Sequence, residues 1–203
     1  MLNIAIPTGR LGESAFGLLK KAGYFTGGEY GADRKLVFTD KTGGVSYFLI
    51  KPADVCTYVE HGVADLGIAG SDLIAEDEPD VYELLDLGIG KCFMAVASPE
   101  GYFENKNSPL RVATKYVRVA KAFFAEKGRE IEIIKLSGSV EAAAVLGLAD
   151  VIVDIVESGR TLKDNGLAVT EKVFEVSSRL IANKSAFIFK EKEIKSALAR
   201  LGG

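Results

Sequence analysis

A β-branched run followed by small hydroxyl and glycine residues is the stretch of this sequence best suited to chemistry. Residues 151–153 are Val-Ile-Val, and the polar positions that follow are Asp154, Glu157, Ser158, Gly159, Arg160 and Thr161. This order predicts a buried strand that enters a tight turn and then a helix. Backbone N–H groups at a helix N-terminus suit a phosphate, and a carboxylate before the turn could bond sugar hydroxyls. We therefore hypothesise a phosphorylated sugar as the ligand.

A second candidate anion-binding turn lies near the start of the chain. Residues 2–7 read as a buried strand, and the loop Thr8-Gly9-Arg10 leads into a segment with helical spacing. An arginine at the carboxyl end of a first strand is well placed to meet an anionic ligand. An ordinary strand–helix turn explains Gly9-Arg10 equally well.

Two further helix starts carry polar residues. Ser71-Asp72 follows a short apolar segment, and the loop over residues 137–139 precedes an alanine-rich helical segment. Either helix N-terminus could bind an anion. Helix capping alone explains Ser71 and Asp72 better on local grounds, and Glu141 could be the reciprocal cap of its helix.

The elements that would position these residues alternate between strand and helix. This alternation predicts largely parallel sheets covered on both faces. Residues 98–109 are polar and contain Pro and Gly, which indicates a link between two α/β lobes. We expect a hairpin where residues 34–38 and 45–50 flank a turn at 42–44, and we detect no internal repeat.

Composition limits the classes of partner. The net charge is −3, from 25 basic and 28 acidic residues, so no general field attracts nucleic acid. Cys56 and Cys92 are expected to be free buried thiols, and the one histidine, His61, is interpreted as a helix C-terminal residue. No basic region precedes the first strand, and no apolar run approaches the roughly 18 residues needed to span a bilayer. We expect a cytoplasmic protein.

The segment EAAAVLGLADVIVDIVESGRTL resembles the signature of the ATP phosphoribosyltransferase family. The matching positions are Glu141, Gly147, Ala149, Ile152, Asp154, Ile155, Ser158, Gly159, Thr161 and Leu162. The similarity extends over almost the whole chain through IAIPTGRL, RKLVF, TYVEHGVADLGIAGSD, ATKY, LSGSVE and KDNGL. The length resembles the short form of the family. Thr8 and Lys51 stand where the family usually has Lys and Arg.

The resemblance implies an α/β fold of two lobes with mainly parallel sheets and a central cleft, like a type II periplasmic binding protein. Domain 1 would comprise residues 1–92 plus 179–203 and carry the ATP and pyrophosphate side. Domain 2 would comprise residues 93–178 and carry the loop for the 5-phosphate of phosphoribosyl pyrophosphate.

The implied reaction joins N1 of ATP to C1 of phosphoribosyl pyrophosphate, giving phosphoribosyl-ATP and pyrophosphate in the first step of histidine biosynthesis. Mg²⁺ would bind mainly through substrate oxygens, with no metal ligand assigned to the protein. The resemblance further implies a regulatory subunit similar to a histidyl-tRNA synthetase, a homodimer when the chain is alone, and neither nucleic acid nor membrane as a partner.

The same resemblance assigns roles to individual residues. The catalytic residues would be Arg10 and Arg34. The residues that bind phosphoribosyl pyrophosphate would be Ser137, Gly138, Ser139, Glu141, Asp154, Glu157, Ser158, Gly159, Arg160 and Thr161. The residues that bind ATP would be Gly9, Arg10, Lys51, Gly70, Ser71 and Asp72. Asp154 could instead be a turn or cap carboxylate, and Arg160 could point to solvent.

Two other classes of function fit the same pattern. Two α/β lobes around a cleft would also serve a small-anion sensor or binding protein. A phosphoribosyltransferase that uses a different base is the other alternative.

Overall fold

The computed structural model describes residues 1–25, 30, 36–40 and 44–202 and divides the chain into two compact units. Unit 1 comprises Met1–Gly90 and Ser177–Gly203, and unit 2 comprises Lys91–Val176. The chain therefore passes from one unit to the other twice. The crossings expected from the resemblance, after residues 92 and 178, each lie two residues later than those of the structure.

Strands and helices alternate through most of the chain. In order they are β1 (Leu2–Pro7), α1 (Arg10–Lys21), β2 (Val37–Asp40), β3 (Val45–Ile50), a short 3-10 helix (Pro52–Asp54), α2 (Val55–Glu60), β4 (Leu66–Gly70), α3 (Ser71–Asp77), β5 (Val81–Asp86), β6 (Cys92–Pro99), β7 (Leu110–Thr114), α4 (Val117–Glu126), β8 (Ile131–Lys135), α5 (Glu141–Val145), β9 (Val151–Val156), α6 (Arg160–Asp164), β10 (Leu167–Val176), β11 (Ser178–Asn183), α7 (Lys184–Phe189) and α8 (Glu191–Leu201). Within the described ranges, no helix has the length and apolar character needed to cross a membrane.

The sheet of unit 1 has the order β2-β3-β1-β4-β11-β5. Its central strand β1 is parallel to β3 on one side and to β4 on the other. The carboxyl ends of these three strands therefore lie together, and we call this the carboxyl edge of unit 1. The expected hairpin forms between β2 and β3, although its first strand starts at Val37. Arg34, Thr42 and Gly43 lie outside the described residues.

The sheet of unit 2 has the order β10-β6-β9-β7-β8. Its strand β7 is parallel to β8 and to β9, and the ends of these three strands form the carboxyl edge of unit 2. Both sheets are mixed, which corrects the expectation of mainly parallel sheets. The strands next to the two crossings, β5, β6, β10 and β11, pair antiparallel, because the chain leaves unit 1 along β5 and β6 and returns in the opposite direction along β10 and β11.

A Gly-x-Ala-Asp segment occurs twice in the chain, each time just before a parallel strand, at the edge of the sheet opposite its carboxyl edge. Residues 62–65 precede β4, and residues 147–150 precede β9. Asp65 accepts a hydrogen bond from the second residue of β1 at 2.8 Å, and Asp150 accepts one from the second residue of β7 at 2.9 Å. This short repeat, which the sequence reading missed, fixes β4 beside β1 and β9 beside β7.

Apolar side chains hold the first strand and helix of unit 1 together. Ile4 and Ile6 of β1 are buried, and Phe16 and Leu19 of α1 pack in the same core. The ring of Phe16 stacks on that of Phe25 at 5.4 Å between centroids. Ala5, on the opposite face of β1, lies in a second core with α2. Because β1 is covered on both faces, its register is fixed, and so is the position of the loop that follows it.

Gly12 of α1 allows the helix to approach the end of β1, so Gly12→Ala should destabilise the protein. A Cβ there would lie 1.7 Å from the carbonyl oxygen of Pro7, so backbone must shift. We expect the free energy of unfolding to fall by at least about 2 kcal/mol, as for other overpacked sites. Urea denaturation measures this change.

Gly17→Ala in the same helix is the matched control, because nothing lies within 4 Å of its added Cβ. It should raise the free energy of unfolding by about 0.5–1 kcal/mol through helix propensity. Equal effects of the two substitutions would contradict the packing described here.

Candidate functional site

The turn between β1 and α1 is held in one conformation at the carboxyl edge of unit 1. Gly9 has φ 84°, a left-handed value that favours glycine, and its carbonyl accepts the N–H of Glu13 at 3.1 Å. The hydroxyl of Tyr30 donates to the carbonyl of Pro7 at 2.9 Å. Burial raises the pKa of Tyr30, so this hydroxyl stays a neutral donor. Arg10 is therefore presented from the first turn of α1, on the surface.

Two neighbouring strand ends bring the other predicted residues of unit 1 to the same edge. The N–H of Thr8 donates to the carbonyl of Ile50 at 2.7 Å, which ties the end of β1 to that of β3. Lys51 follows directly and is exposed. Gly70 ends β4 on the other side of β1. The structure thus gathers Lys51 and Gly70 around the turn that carries Arg10.

Ser71 is hydrogen-bonded to Ser177, the first residue after the chain returns from unit 2 to unit 1. Its N–H donates to the carbonyl of Ser177 at 2.9 Å, and its hydroxyl accepts the N–H of Ser177 at 3.2 Å. The hydroxyl of Ser177 in turn donates to Asp86 at 3.0 Å. The N-cap position of α3 is Gly70, so Ser71 and Asp72 lie inside the helix, and Asp72 is buried. Ser71 therefore has a structural role in addition to any ligand contact.

The loop over residues 137–139 follows β8 at the carboxyl edge of unit 2, and all three residues are exposed. Ser139 has φ 49°, and its carbonyl accepts the N–H of Ala142 at 3.2 Å as α5 begins. Within the described part of the chain, no side chain caps α5, so the reciprocal cap considered for Glu141 does not form.

The loop after β9 lies at the same edge and is open to solvent. Glu157, Ser158 and Thr161 are exposed, and Gly159 has φ 72° at the N-cap of α6. The first main-chain hydrogen bond of α6 runs from Lys163 to Gly159 at 3.1 Å. The N–H groups of the preceding turn thus form the amino end of a helix, which carries partial positive charge.

Arg160 projects away from the protein. Its side chain is 86% exposed, and its Nε lies 3.8 Å from a carboxylate oxygen of Asp164 one turn later. The backbone N–H of Arg160 donates to the hydroxyl of Ser158 at 3.4 Å. The geometry agrees with the alternative in which Arg160 points to solvent.

Asp154 lies near the end of β9, beside these loops. Its Oδ1 accepts the N–H of Ile155 at 2.9 Å and lies 3.8 Å from Nζ of Lys115. Lys115 follows β7, directly across from Asp154, and sequence reasoning missed it. The available signal was its place in the ATKY segment, where a cation follows a strand that runs parallel to the one carrying Asp154.

Thr114 fixes the backbone on either side of Lys115 and was also missed. Its side chain is fully buried, and its hydroxyl donates to the carbonyl of Val153 at 2.7 Å. The same hydroxyl accepts the N–H of Tyr116 at 2.8 Å, which forms a local side-chain turn. Lys115 is therefore held between two residues with buried side chains.

The described residues contain no cluster of three or more His, Cys, Asp or Glu side chains that could hold a metal ion. Burial, followed by the nearby charges of Asp77, Asp72 and Glu60, raises the pKa of Cys56 to about 12. Its thiol is therefore protonated at neutral pH. Cys92 likewise forms no disulfide within the described residues, but it is only half-buried, contrary to the expectation.

The chain is similar to known ATP phosphoribosyltransferases over almost its whole length. A family model described as ATP phosphoribosyltransferase matches residues 51–203. The ATP phosphoribosyltransferase of Geobacillus sp. (strain WCH70) is 51% identical over 201 residues, which cover 99% of this chain and 97% of the relative. The ATP phosphoribosyltransferase of Bacillus subtilis (strain 168) is 48% identical over 201 residues, which cover 99% of this chain and 94% of that relative.

Solved structures show the same fold. The ATP phosphoribosyl transferase (HisG:HisZ) complex from Thermotoga maritima has a chain that superposes with a TM-score of 0.86 at 35% identity, covering 100% of this chain and 97% of that one. The periplasmic VFT2 domain of Bordetella pertussis BvgS superposes with a TM-score of 0.60 at 11% identity, covering 98% of this chain and 86% of that one. At this identity the similarity is one of fold alone. The predicted α/β fold class of the periplasmic-binding-protein type is confirmed.

Thr114→Val keeps the shape of the side chain but removes the hydroxyl that joins β7, β9 and the turn at Lys115. The carbonyl of Val153 and the N–H of Tyr116 would lose their buried partner. We expect the free energy of unfolding to fall by about 2–3 kcal/mol. Thr114→Ser keeps both hydrogen bonds and should lose only about 1 kcal/mol with the methyl group. If urea denaturation shows that the Thr114→Ser variant is less stable than the Thr114→Val variant, the hydroxyl does not have this role.

Proposed function

The chain belongs to the ATP phosphoribosyltransferase family, and from this premise we propose how its residues carry out the reaction. The enzyme is a pentosyltransferase that joins N1 of the ATP adenine to C1 of phosphoribosyl pyrophosphate and releases pyrophosphate, the first step of histidine biosynthesis. The observation that carries this conclusion is the similarity to ATP phosphoribosyltransferases over 99% of the chain. It favours a transferase over a small-anion sensor of the same fold.

We propose that unit 2 binds phosphoribosyl pyrophosphate at its carboxyl edge. The 5-phosphate would accept hydrogen bonds from the backbone N–H groups after Gly159 and from the hydroxyls of Ser158 and Thr161. Exposure of this loop and its position at the amino end of α6 support the assignment. Asp154 and Glu157 would accept hydrogen bonds from the ribose hydroxyls.

The loop over residues 137–139 would contact the pyrophosphate side of the same substrate. It lies on the other side of β7 from the loop that contains Gly159, and its three residues are exposed. Glu141 begins α5 immediately afterwards. Since two loops flank one strand end, the substrate could extend across the edge from its 5-phosphate to its pyrophosphate.

We propose that ATP binds at the carboxyl edge of unit 1, where the predicted ATP-binding residues in the described part of the chain lie together. These are Gly9, Arg10, Lys51, Gly70, Ser71 and Asp72. Arg10, and Arg34 by the family resemblance, would stabilise negative charge on the phosphates as pyrophosphate departs. The hydroxyl of Ser71 accepts from Ser177, so a contact to ATP would use its proton.

The chemistry requires positioning and charge stabilisation rather than a protein nucleophile. C1 becomes oxocarbenium-like as the bond to pyrophosphate breaks, and N1 of adenine attacks the opposite face. Asp154 would hold the ribose, and the arginines Arg10 and Arg34 would offset the negative charge of the departing pyrophosphate. We propose that Mg²⁺ enters with the substrate, bound mainly by phosphate oxygens and water, and lowers the charge of the pyrophosphate.

The relative from Thermotoga maritima was solved as a HisG:HisZ complex. We propose that this chain likewise assembles with a regulatory subunit that resembles a histidyl-tRNA synthetase, and that it forms a homodimer without it. We also propose that it acts in the cytoplasm, where ATP and phosphoribosyl pyrophosphate are available.

The purified chain, assayed with its regulatory subunit, should form phosphoribosyl-ATP from ATP, phosphoribosyl pyrophosphate and Mg²⁺, detected by ultraviolet absorbance. Arg10→Ala should lower kcat by about 100-fold, as expected when one charge-stabilising donor is lost, and should raise the Kd for ATP far less.

Lys20→Ala, an exposed change at the other end of α1, is the control and should leave kcat within about two-fold. Unchanged kcat with a raised KM for Arg10→Ala would remove Arg10 from the chemistry. No product with ATP, but product with another base, would show that the acceptor is wrong.

A further inference from the structure

We propose that Lys115 is an additional substrate-binding residue, whose ammonium group donates a hydrogen bond to a phosphate of phosphoribosyl pyrophosphate. This inference rests on the proposed function, since it places the substrate at the carboxyl edge of unit 2. It extends that function by assigning to this edge a cation other than Arg160, whose side chain points to solvent.

Lys115 is held more firmly than an ordinary surface lysine. The hydroxyl of Thr114 closes the turn around it and anchors that turn to Val153 of β9. The ring of Tyr116 is buried, and Nζ of Lys115 lies 4.8 Å from its centroid, within the range of a cation–π contact. The side-chain entropy lost when a ligand binds is therefore reduced in advance.

A second ion pair between the same two strands shows how a purely structural pair is built here. At the amino ends of β7 and β9, Arg111 donates to Asp150 at 2.6 Å from one nitrogen and at 3.1 Å from Nε. The guanidinium also donates to the carbonyls of Gly147 and Leu148. The guanidinium thus makes four hydrogen bonds to the protein, although the side chain of Arg111 is 41% exposed.

The pair at the carboxyl ends differs in geometry. Nζ of Lys115 lies 3.8 Å from Oδ1 of Asp154, beyond hydrogen-bond length, although the two pairs are about equally exposed. An ammonium carries three N–H donors and can rotate to direct them. Lys115 is thus fixed in place and attracted to Asp154, with donors that can reach a ligand at the open edge.

The charges of the substrate agree with this arrangement. Asp154 would accept hydrogen bonds from ribose hydroxyls, and a carboxylate there repels the neighbouring phosphates. A cation next to Asp154 offsets this repulsion and adds a charge-assisted hydrogen bond to a phosphate oxygen. One strand end would therefore recognise both parts of a phosphorylated sugar.

Titration calorimetry with phosphoribosyl pyrophosphate and Mg²⁺ tests the proposal. Lys115→Met should raise the Kd by at least about 10-fold, and Lys115→Arg should recover part of this loss. Lys121→Met, at an exposed lysine of α4, is the matched control and should stay within about two-fold. Lys115→Gln serves as a second variant if Lys115→Met does not fold.

Repeating the change in an Asp154→Asn background separates direct contact from positioning. If Lys115 touches phosphate, Lys115→Met should still weaken binding by about five-fold or more in that background. Loss of the effect would mean that Lys115 acts only through Asp154 and would overturn the proposed contact. Titrations with ribose 5-phosphate and with pyrophosphate identify which phosphate is bound, because only one should respond to Lys115→Met.

The two levels of failure can be told apart. If the unaltered chain does not bind phosphoribosyl pyrophosphate, the proposed function fails and this inference fails with it. If the unaltered chain binds but the Met and Gln variants bind equally well, the function stands and Lys115 has no part in it.

Discussion

Parallel pairing at the centre of each sheet is the constraint on which the rest of the structure depends. In unit 1, β1 lies between β3 and β4, and in unit 2, β7 lies between β8 and β9. Parallel neighbours place their carboxyl ends at one edge, so residues far apart in sequence converge there without needing contacts of their own. Buried apolar side chains fix the register, because a slip of one residue would turn every side chain to the other face.

The two edges of each sheet have different electrostatic roles. At the amino edges, Asp65 pairs with Lys190 at 2.7 Å and Asp150 with Arg111 at 2.6 Å, and each carboxylate also accepts a backbone N–H from the adjacent strand. At the carboxyl edges the candidate residues are mostly exposed, and Asp154 meets its cation at 3.8 Å. The amino edges are stabilised internally, whereas the carboxyl edges present charged groups that a ligand can bind.

The sequence was sufficient to predict the strand–helix alternation and the Ser158-Gly159 turn, because these follow from local patterns of apolar, β-branched and glycine residues. The link between the two units was misplaced: residues 98–109 lie inside unit 2, where they end β6 and lead to β7, because a polar loop has the same composition whether or not it joins two units. It could not predict that Ser71 bonds Ser177, since those residues are 106 apart along the chain. Lys115 was missed for the same reason: its pairing with Asp154 depends on which strands become neighbours. The mixed sheets were missed because residue type does not record strand direction when a chain crosses between units twice.

A crystal structure of the protein with phosphoribosyl pyrophosphate and Mg²⁺ would test the central claim, that the carboxyl edge of unit 2 binds this substrate, most directly. We predict that the 5-phosphate accepts the backbone N–H groups of the turn after Gly159 and that Asp154 accepts from a ribose hydroxyl. A 5-phosphate bound instead at the first turn of α1, with the Gly159 turn empty, would contradict the account.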